Sequence, residues 1–354
     1  MILPNLFVLS GGMHMKPIPY PPRLHLAHTP TPLELLPRLS EKLGIEMYVK
    51  RDDLTGAELT GNKIRKLEFV LAEAMAKGAD TVLTCGAAQS NHSRATAIAA
   101  ARLGLHSRLL LRTADPSHPP LPEGNLLLDR LVGAEIVWIT PEEYQRRDEI
   151  FEREAGNLRK VGRKPYVVPE GASNPLGAWG YIRAVEELAS DLSKIPGGTD
   201  QPTTIIHAVG SGGTSAGLIL GVRLLKLNAR VVGFNVCDDR SHFQRVIGEI
   251  CESAIATYAL DLSFSRREDI EIVDGYVGRG YSLSSPEELV LISEIARTEG
   301  IILEPVYTGK AFFGMTRELS RDPRRFGKRL VFLHTGGVFG LLSKASEIAT
   351  VFPS

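Results

Sequence analysis

The chain has 354 residues and balances 41 Lys+Arg against 41 Asp+Glu, a formal net charge of zero. That balance offers no basic surface for nucleic acid or another polyanion, and the length allows two domains. Hydrophobic residues make up 43% and charged ones 23%, and the longest apolar runs, such as "TTIIHAV" at 203–209, are far too short to span a bilayer.

In chain order, the opening "MILPNLFVLSGGMHMK" has an apolar patch with no basic residue before it, so it reads poorly as a signal peptide. Met13 and Met15 are alternative start sites, so the residues before Met15 are expected to be a start-site extension. Short β-rich runs then alternate with helical patterns. Strands are predicted at "MYVKR" 47–51, "TVLTC" 81–85, "SRLLLR" 107–112, "EIVWIT" 135–140 and "YVVP" 166–169. Further strands are predicted at "TIIHAV" 204–209, "RVVGFNV" 230–236, "IEIV" 270–273 and "RLVFLH" 329–334. Amphipathic or Ala-rich helices are predicted at 62–77, 91–103, 141–159, 175–192, 214–226, 286–298 and 309–319. Near-continuous apolar strands separated by helices specify an α/β protein with parallel sheets covered on both faces. The Pro/Gly-rich stretches at 116–124 and 195–202 read as surface loops, and no repeat is present.

Cys85, Cys237 and Cys251 form no CxxC pair and no disulfide framework, which favours a reducing cytoplasm. The nine histidines include no HExxH and no Cys/His ladder, so no metal site is expected.

Four stretches carry chemistry. In "GNKIRKLEF", 61–69, Ile64, Leu67, Leu71 and Met75 mark a buried helical stripe that starts near Asn62. Lys63 and Lys66 then lie in the first turn, where the helix dipole disfavours cations. Either they are an indifferent surface or an anion binds nearby. "AVGSGGTSAGL", 208–218, joins a strand to a helix through Gly210, Gly212 and Gly213, with Ser211 and Thr214 as hydroxyl donors. It is a plain tight turn or a phosphate cradle. It is neither a Walker A loop nor a dinucleotide fingerprint, since Ser215 stands where the third glycine would be.

In "TCGAAQSNHSRATAIAAARLG", 84–104, Gln89, Ser90, Asn91 and His92 follow a strand end. They cap a helix or face a ligand, because parallel sheets bind ligands at the carboxyl ends of their strands. Tyr281 and Tyr307 each begin a loop that leads towards a helix, and Thr335 precedes Gly336-Gly337 at another strand end. No GxSxG elbow occurs. Together the lysines, the glycine loop and the strand-end hydroxyls suit a phosphorylated cofactor held by lysine, namely pyridoxal 5'-phosphate.

The blocks "GNKIRKLEF", "QSNH" and "VYTGKA", with "TPTPLELLPRLSEKLGIEMYVKRDDLTG" at 29–56, resemble the D-cysteine desulfhydrase / 1-aminocyclopropane-1-carboxylate deaminase family, from about residue 29 to about 345. The resemblance implies the tryptophan-synthase-β-like architecture of pyridoxal-phosphate fold type II. It implies a small domain, 61–174, inserted into a large one made of 1–60 and 175–354. It implies Lys63 as the Schiff-base lysine, Lys66 at the cofactor phosphate, Asn91 at the ring hydroxyl, and Ser211, Gly212, Gly213 and Thr214 as the phosphate loop. Ser90 matches the active-site serine near the substrate carboxylate, beside Asn91 and His92. Tyr281 and Tyr307 match the tyrosines that flank the substrate. A homodimer acting on a small amino acid follows from the same resemblance.

Members that open a cyclopropane resemble one another in having Glu after the second tyrosine and Leu before the Gly-Gly pair. This chain has Thr308 and Thr335 there, as the desulfhydrase members do. A threonine gives a weaker electron sink than a carboxylate at the ring nitrogen, enough for β-elimination. The expected reaction is therefore D-cysteine to pyruvate, hydrogen sulfide and ammonia. L-Cysteate sulfo-lyase, ring-opening deamination and a non-catalytic binder of a small phosphorylated ligand are the alternatives. A sulfonate would want a further cation. Arg94 and Arg279 are near site residues in sequence, and both are expected to be solvated.

Overall fold

The computed structural model describes residues 18–352, so the expected start-site extension before Met15 lies outside the described residues. Among the described residues, ten strands form two sheets. The strands are β1 Leu33–Leu35, β2 Glu46–Lys50, β3 Thr81–Ala87, β4 His106–Arg112 and β5 Glu135–Ile139. They continue with β6 Pro165–Val167, β7 Thr203–Val209, β8 Ala229–Asn235, β9 Glu271–Val273 and β10 Arg329–Leu333. The larger sheet runs β1-β2-β10-β7-β8-β9 and the smaller β5-β4-β3-β6. Every pairing is parallel except β1 with β2. Central β10 and β7 are buried on both faces, and that is why they read as unbroken apolar runs rather than alternating ones. The α/β reading with parallel, helix-covered sheets matches this architecture.

The expected helices form within a few residues of their predicted ends, with local signals that explain the fit. Pro175 and Pro286 occupy first helical turns, Asn174 and Ser285 accept backbone N–H groups as caps, and Gly300 closes Pro286–Glu299 in the left-handed region. The helix expected over 141–159 breaks into Pro141–Gln145 and Arg147–Lys160. The structure adds helices that the sequence reading lacked, notably Arg240–Tyr258 and Gly124–Leu131. Met75, expected on the buried stripe of Lys63–Ala76, is 42% exposed, because that helix ends within a turn of it.

One close approach fixes the helix that carries both lysines. Lys63–Ala76 lies against Pro175–Leu192 at Gly180, where a β-carbon would stand 2.5 Å from the Arg65 carbonyl oxygen and 2.8 Å from the Lys66 nitrogen. Only a residue without a side chain permits that approach. A buried ionic cluster seals the same junction. Arg65 bonds Asp52 through Nε and Nη2, at 2.9 and 2.8 Å, and reaches both carboxylate oxygens of Glu187 at 2.9 Å. Tyr181 donates to Asp52 at 2.6 Å, and Lys50 pairs with Asp191 at 2.7 Å. The lysine-bearing turn is thus tied to the large sheet's own helix and to the segment after β2.

Candidate active site

The carboxyl ends of strands from both sheets converge on one cavity. Ser90, Asn91 and His92 follow β3; Ser211, Gly212, Thr214 and Ser215 follow β7; Thr335 and Gly336 follow β10. Lys63, Tyr281 and Tyr307 complete the lining from the sequence-expected set. A parallel strand feeding a helix leaves free backbone groups and a helix N-terminus at that end.

Lys63 is the first residue of its helix, and burial pushes its ammonium down to about 8, with Glu170 partly opposing the shift. Lys66, one turn on, is fully buried, and its ammonium is held well below the ordinary range by burial and then by the charge of Lys63. It makes no ion pair among the described residues. Its Nζ donates to Ser173 Oγ at 3.3 Å. Ser173 Oγ is also 2.8 Å from Ser211 Oγ and accepts the Gly213 N–H at 3.2 Å. Lys66 therefore lies behind the loop and reaches it through Ser173 rather than lining the cavity. Gly213 is likewise off the cavity lining, its N–H turned to Ser173.

Gly212, at φ +80°, turns the chain into helix Gly213–Leu224, so the loop 210–213 delivers Thr214 and Ser215 at a positive helix end. Ser215 Oγ is buried without a hydrogen-bond partner among the described residues. A fully buried lysine without a carboxylate, an orphaned hydroxyl and a helix N-terminus together specify an anion. A phosphate group fits this set of donors.

Ser90 caps Asn91–Arg102 by accepting the Ser93 N–H at 3.1 Å while it lines the cavity, so capping the helix does not withdraw it from the site. His92 Nε2 lies 2.8 Å from Thr84 Oγ1, whose own proton goes to the Val168 carbonyl. Burial and the two lysines hold His92 far below its ordinary value, so its imidazole is neutral. The Tyr281 and Tyr307 hydroxyls are 2.5 Å apart with rings edge to face. Burial raises both tyrosines, so each keeps its proton at neutral pH.

Thr308 departs from expectation. It is fully buried and does not line the cavity. Its N–H donates to Glu304 Oε1 at 2.7 Å, and its Oγ1 accepts the Glu304 N–H at 2.9 Å. Contact with the substrate is thereby corrected to support of the backbone before Tyr307, because Glu304 claims both the N–H and the hydroxyl of Thr308. Glu304 also takes the N–H groups of Val306 and Tyr307, at 2.8 and 2.7 Å, and burial still raises its carboxyl to about 7. Arg94, expected in solvent, is wholly buried, while Arg279 is exposed.

Four lining or supporting residues escaped the sequence reading: Asn62, Glu170, Gly171 and Ser173. The last three follow β6 in "PEGASNP", 169–175, at a strand end like the others, and that position was the available signal.

The sequence profile described as the pyridoxal-phosphate dependent enzyme family matches residues 24–336. A Thermotoga maritima protein provisionally named a 1-aminocyclopropane-1-carboxylate deaminase is 46% identical, over 92% of this chain and 99% of its own. The Arabidopsis thaliana bifunctional D-cysteine desulfhydrase/1-aminocyclopropane-1-carboxylate deaminase is 42% identical, over 97% and 84%. The D-cysteine desulfhydrase of Klebsiella pneumoniae is 37% identical, over 91% and 96%. The crystal structure of a 1-aminocyclopropane-1-carboxylate deaminase homologue superposes with a TM-score of 0.85 at 37% identity, covering 94% of this chain and 97% of the other. The chain belongs to the pyridoxal-phosphate-dependent enzyme family, with fold type II architecture, and is a pyridoxal-phosphate-dependent lyase.

Proposed function

We propose that the chain catalyses β-elimination of D-cysteine to pyruvate, hydrogen sulfide and ammonia. The observation that carries this reading is Thr335, a neutral hydroxyl on the cavity lining directly before Gly336. When bound, pyridoxal phosphate supplies an electron sink for the pair left on Cα after proton removal.

The residues would divide the work as follows. Lys63 would hold the cofactor's aldehyde end and, with its ammonium depressed to about 8, would take the Cα proton through the neutral fraction available near physiological pH. Ser211, Thr214, Ser215 and the N-terminus of Gly213–Leu224 hold the phosphate, with Lys66 behind them through Ser173. Asn91 donates to the ring oxygen, and Ser90 receives the substrate carboxylate. The protonated pair Tyr281 and Tyr307 gives a proton to the leaving sulfur. His92, neutral and held by Thr84, shapes the wall as a polar, uncharged group.

Thr335 offers the ring nitrogen a hydroxyl rather than a carboxylate. That weaker sink suits a substrate whose β-substituent leaves with the electrons. With Thr308 withdrawn onto Glu304, the distinction from ring opening rests on Thr335 alone. The names of the Thermotoga and Arabidopsis relatives keep ring-opening deamination as the second reading. Cysteate is less well served, since Arg94 spends its guanidinium on Asn125 and on the carbonyls of Glu58 and Thr60. We also propose the division into 61–174 and the remainder, and a homodimer in solution, which light scattering on the purified protein would test.

The deciding experiment is product release from cofactor-loaded protein given D-cysteine, L-cysteine, L-cysteate and 1-aminocyclopropane-1-carboxylate separately. Pyruvate with sulfide from D-cysteine is the expected result. 2-Oxobutyrate as the main product would overturn the reading of Thr335, and pyruvate with sulfite would move the leaving group.

A further inference from the structure

Asn125, the second residue of helix Gly124–Leu131, is fully buried and makes three side-chain hydrogen bonds. Its Oδ1 accepts from Arg94 Nε at 3.1 Å. Its Nδ2 donates to the Gln89 carbonyl at 3.0 Å and to Asn91 Oδ1 at 2.9 Å. An arginine Nε–H can only donate and a backbone carbonyl can only accept. These two partners settle which end of the Asn125 amide is oxygen, because a flip would set donor against donor and acceptor against acceptor. The remaining Asn125 N–H then faces Asn91, and only the Asn91 oxygen can receive it.

Asn91 is thereby turned so that its own Nδ2 points away from Asn125. That nitrogen donates to nothing among the described residues, and it lies next to Gly337, where a β-carbon would be 3.3 Å from it. Asn91 itself lines the cavity with Thr335 and Gly336, so the free donor belongs to a residue of the cavity wall. Arg94 is anchored in turn. It is wholly buried, and its Nη atoms donate to the carbonyls of Glu58 and Thr60, the latter at 2.9 Å, in the loop that leads to Lys63.

We propose that Asn125, held by Arg94, is a positioning residue that keeps Asn91 presented to the cofactor's ring oxygen as a hydrogen-bond donor rather than an acceptor. This rests on the proposed contact of Asn91 with the ring. A donor there favours the anionic form of that oxygen, and an acceptor would disfavour it. The lysine-bearing loop and the ring-facing amide are thus referenced to one buried guanidinium.

Three variants of the cofactor-loaded protein test it: Asn91→Ala, Asn125→Asp and the two combined. Asn125→Asp keeps the acceptor for Arg94 but faces Asn91 Oδ1 with a carboxylate oxygen, which draws Asn91 Nδ2 around instead. The expected result is a shift of the bound cofactor's visible band in the same direction as in Asn91→Ala, with the cofactor Kd raised about tenfold. In the Asn91→Ala background, Asn125→Asp adds no further shift. A merely structural Asn125 would lower thermal stability in both backgrounds and leave the band in place. A wild-type band and Kd in Asn125→Asp, with Asn91→Ala altered, overturn the positioning role alone. A silent Asn91→Ala overturns the reading of Asn91 and the positioning role with it. Should Asn125→Asp fail to fold, Asn125→Ala removes the donor without adding charge, and an unshifted band there overturns the proposal.

Discussion

Lys63 must be neutral to accept a proton, and its position at the head of a buried helix brings the neutral form within reach near physiological pH. Loss of water pushes the ammonium down to about 8, a shift that Glu170 reduces but does not cancel. In cofactor-free protein, labelling of Lys63 by an amine-directed reagent, scored by mass spectrometry, should be half-maximal near pH 8. A profile that rises only in the range of ordinary surface lysines would remove Lys63 as the base. The tyrosines act as a unit. With hydroxyls 2.5 Å apart, either one can relay the other's proton. Tyr281→Phe and Tyr307→Phe should each lower kcat/KM by about 10²–10⁴, and the double variant should lose little more than the worse single one. Multiplicative losses would mean two independent roles. Ser90, Asn91 and Ser211 were legible because each sits in a short motif beside a strand end, and Lys63 because it opens a helix with a second lysine one turn on. Ser173 and Asn125 were not, since their importance arises from partners far along the chain, Ser211 for Ser173 and Asn91 for Asn125. Glu304 was not, because its local backbone bonds depend on a buried turn that no motif marks. Thr308 was misread for the reverse reason. Its motif neighbour Tyr307 faces the cavity, but one step of helix turns Thr308 onto Glu304.

The element that sets the site is helix Lys63–Ala76, and its placement depends on charge as much as on apolar packing. Asp52 has no solvent exposure, yet its carboxyl stays below the ordinary range. Burial pushes it up, and the charge and hydrogen bonds of Arg65, with the Tyr181 hydroxyl, outweigh that push. A carboxyl depressed in the folded state binds fewer protons there than in the unfolded chain. Its contribution is therefore present above the unfolded value and lost as pH falls through the folded one. Asp52→Asn leaves Arg65 with one of its two carboxylates and should cost about 3–5 kcal/mol in urea denaturation at neutral pH. The same variant should lose less of its stability than wild type on acidification below about pH 4. An unchanged acid limb would show that Asp52 is not the group being titrated. Among the helices, Arg240–Tyr258 was missed in the sequence, although the stripe of Phe243, Ile247, Ile250, Cys251 and Ala254 behind the Asp239 cap carries a helical period. Strand β1 was missed because three residues on an antiparallel edge carry no period.

At the scale of the whole molecule, the alternation of apolar runs with helical segments specified parallel sheets, but it could not say how many. Sheet membership is decided by which strand ends meet: β10 enters between β2 and β7, far from both in sequence. That insertion brings Thr335 beside the loops after β3 and β7. The cavity therefore draws on both sheets, with Ser90, Asn91 and Glu170 from the smaller and Ser211, Thr214 and Thr335 from the larger. A ligand held by both halves stabilises the folded state by mass action, about 2.7 kcal/mol at a free concentration 100 times its Kd. Removing pyridoxal phosphate should lower the melting temperature and raise amide exchange at two separated places at once. One is the loop 210–215 with residues 335–337, where the proposed phosphate and ring contacts lie. The other is the helix starts at 62–63 and 90–92, across the cleft. The distant β5 and β9 should exchange as before, because neither contributes to the lining. Hydrogen-exchange mass spectrometry of loaded and stripped protein reads all of these together. Deprotection confined to 210–215 would mean that the phosphate loop alone retains the cofactor. The assigned roles of Lys63 and Asn91 would then fall, however well their geometry suits them.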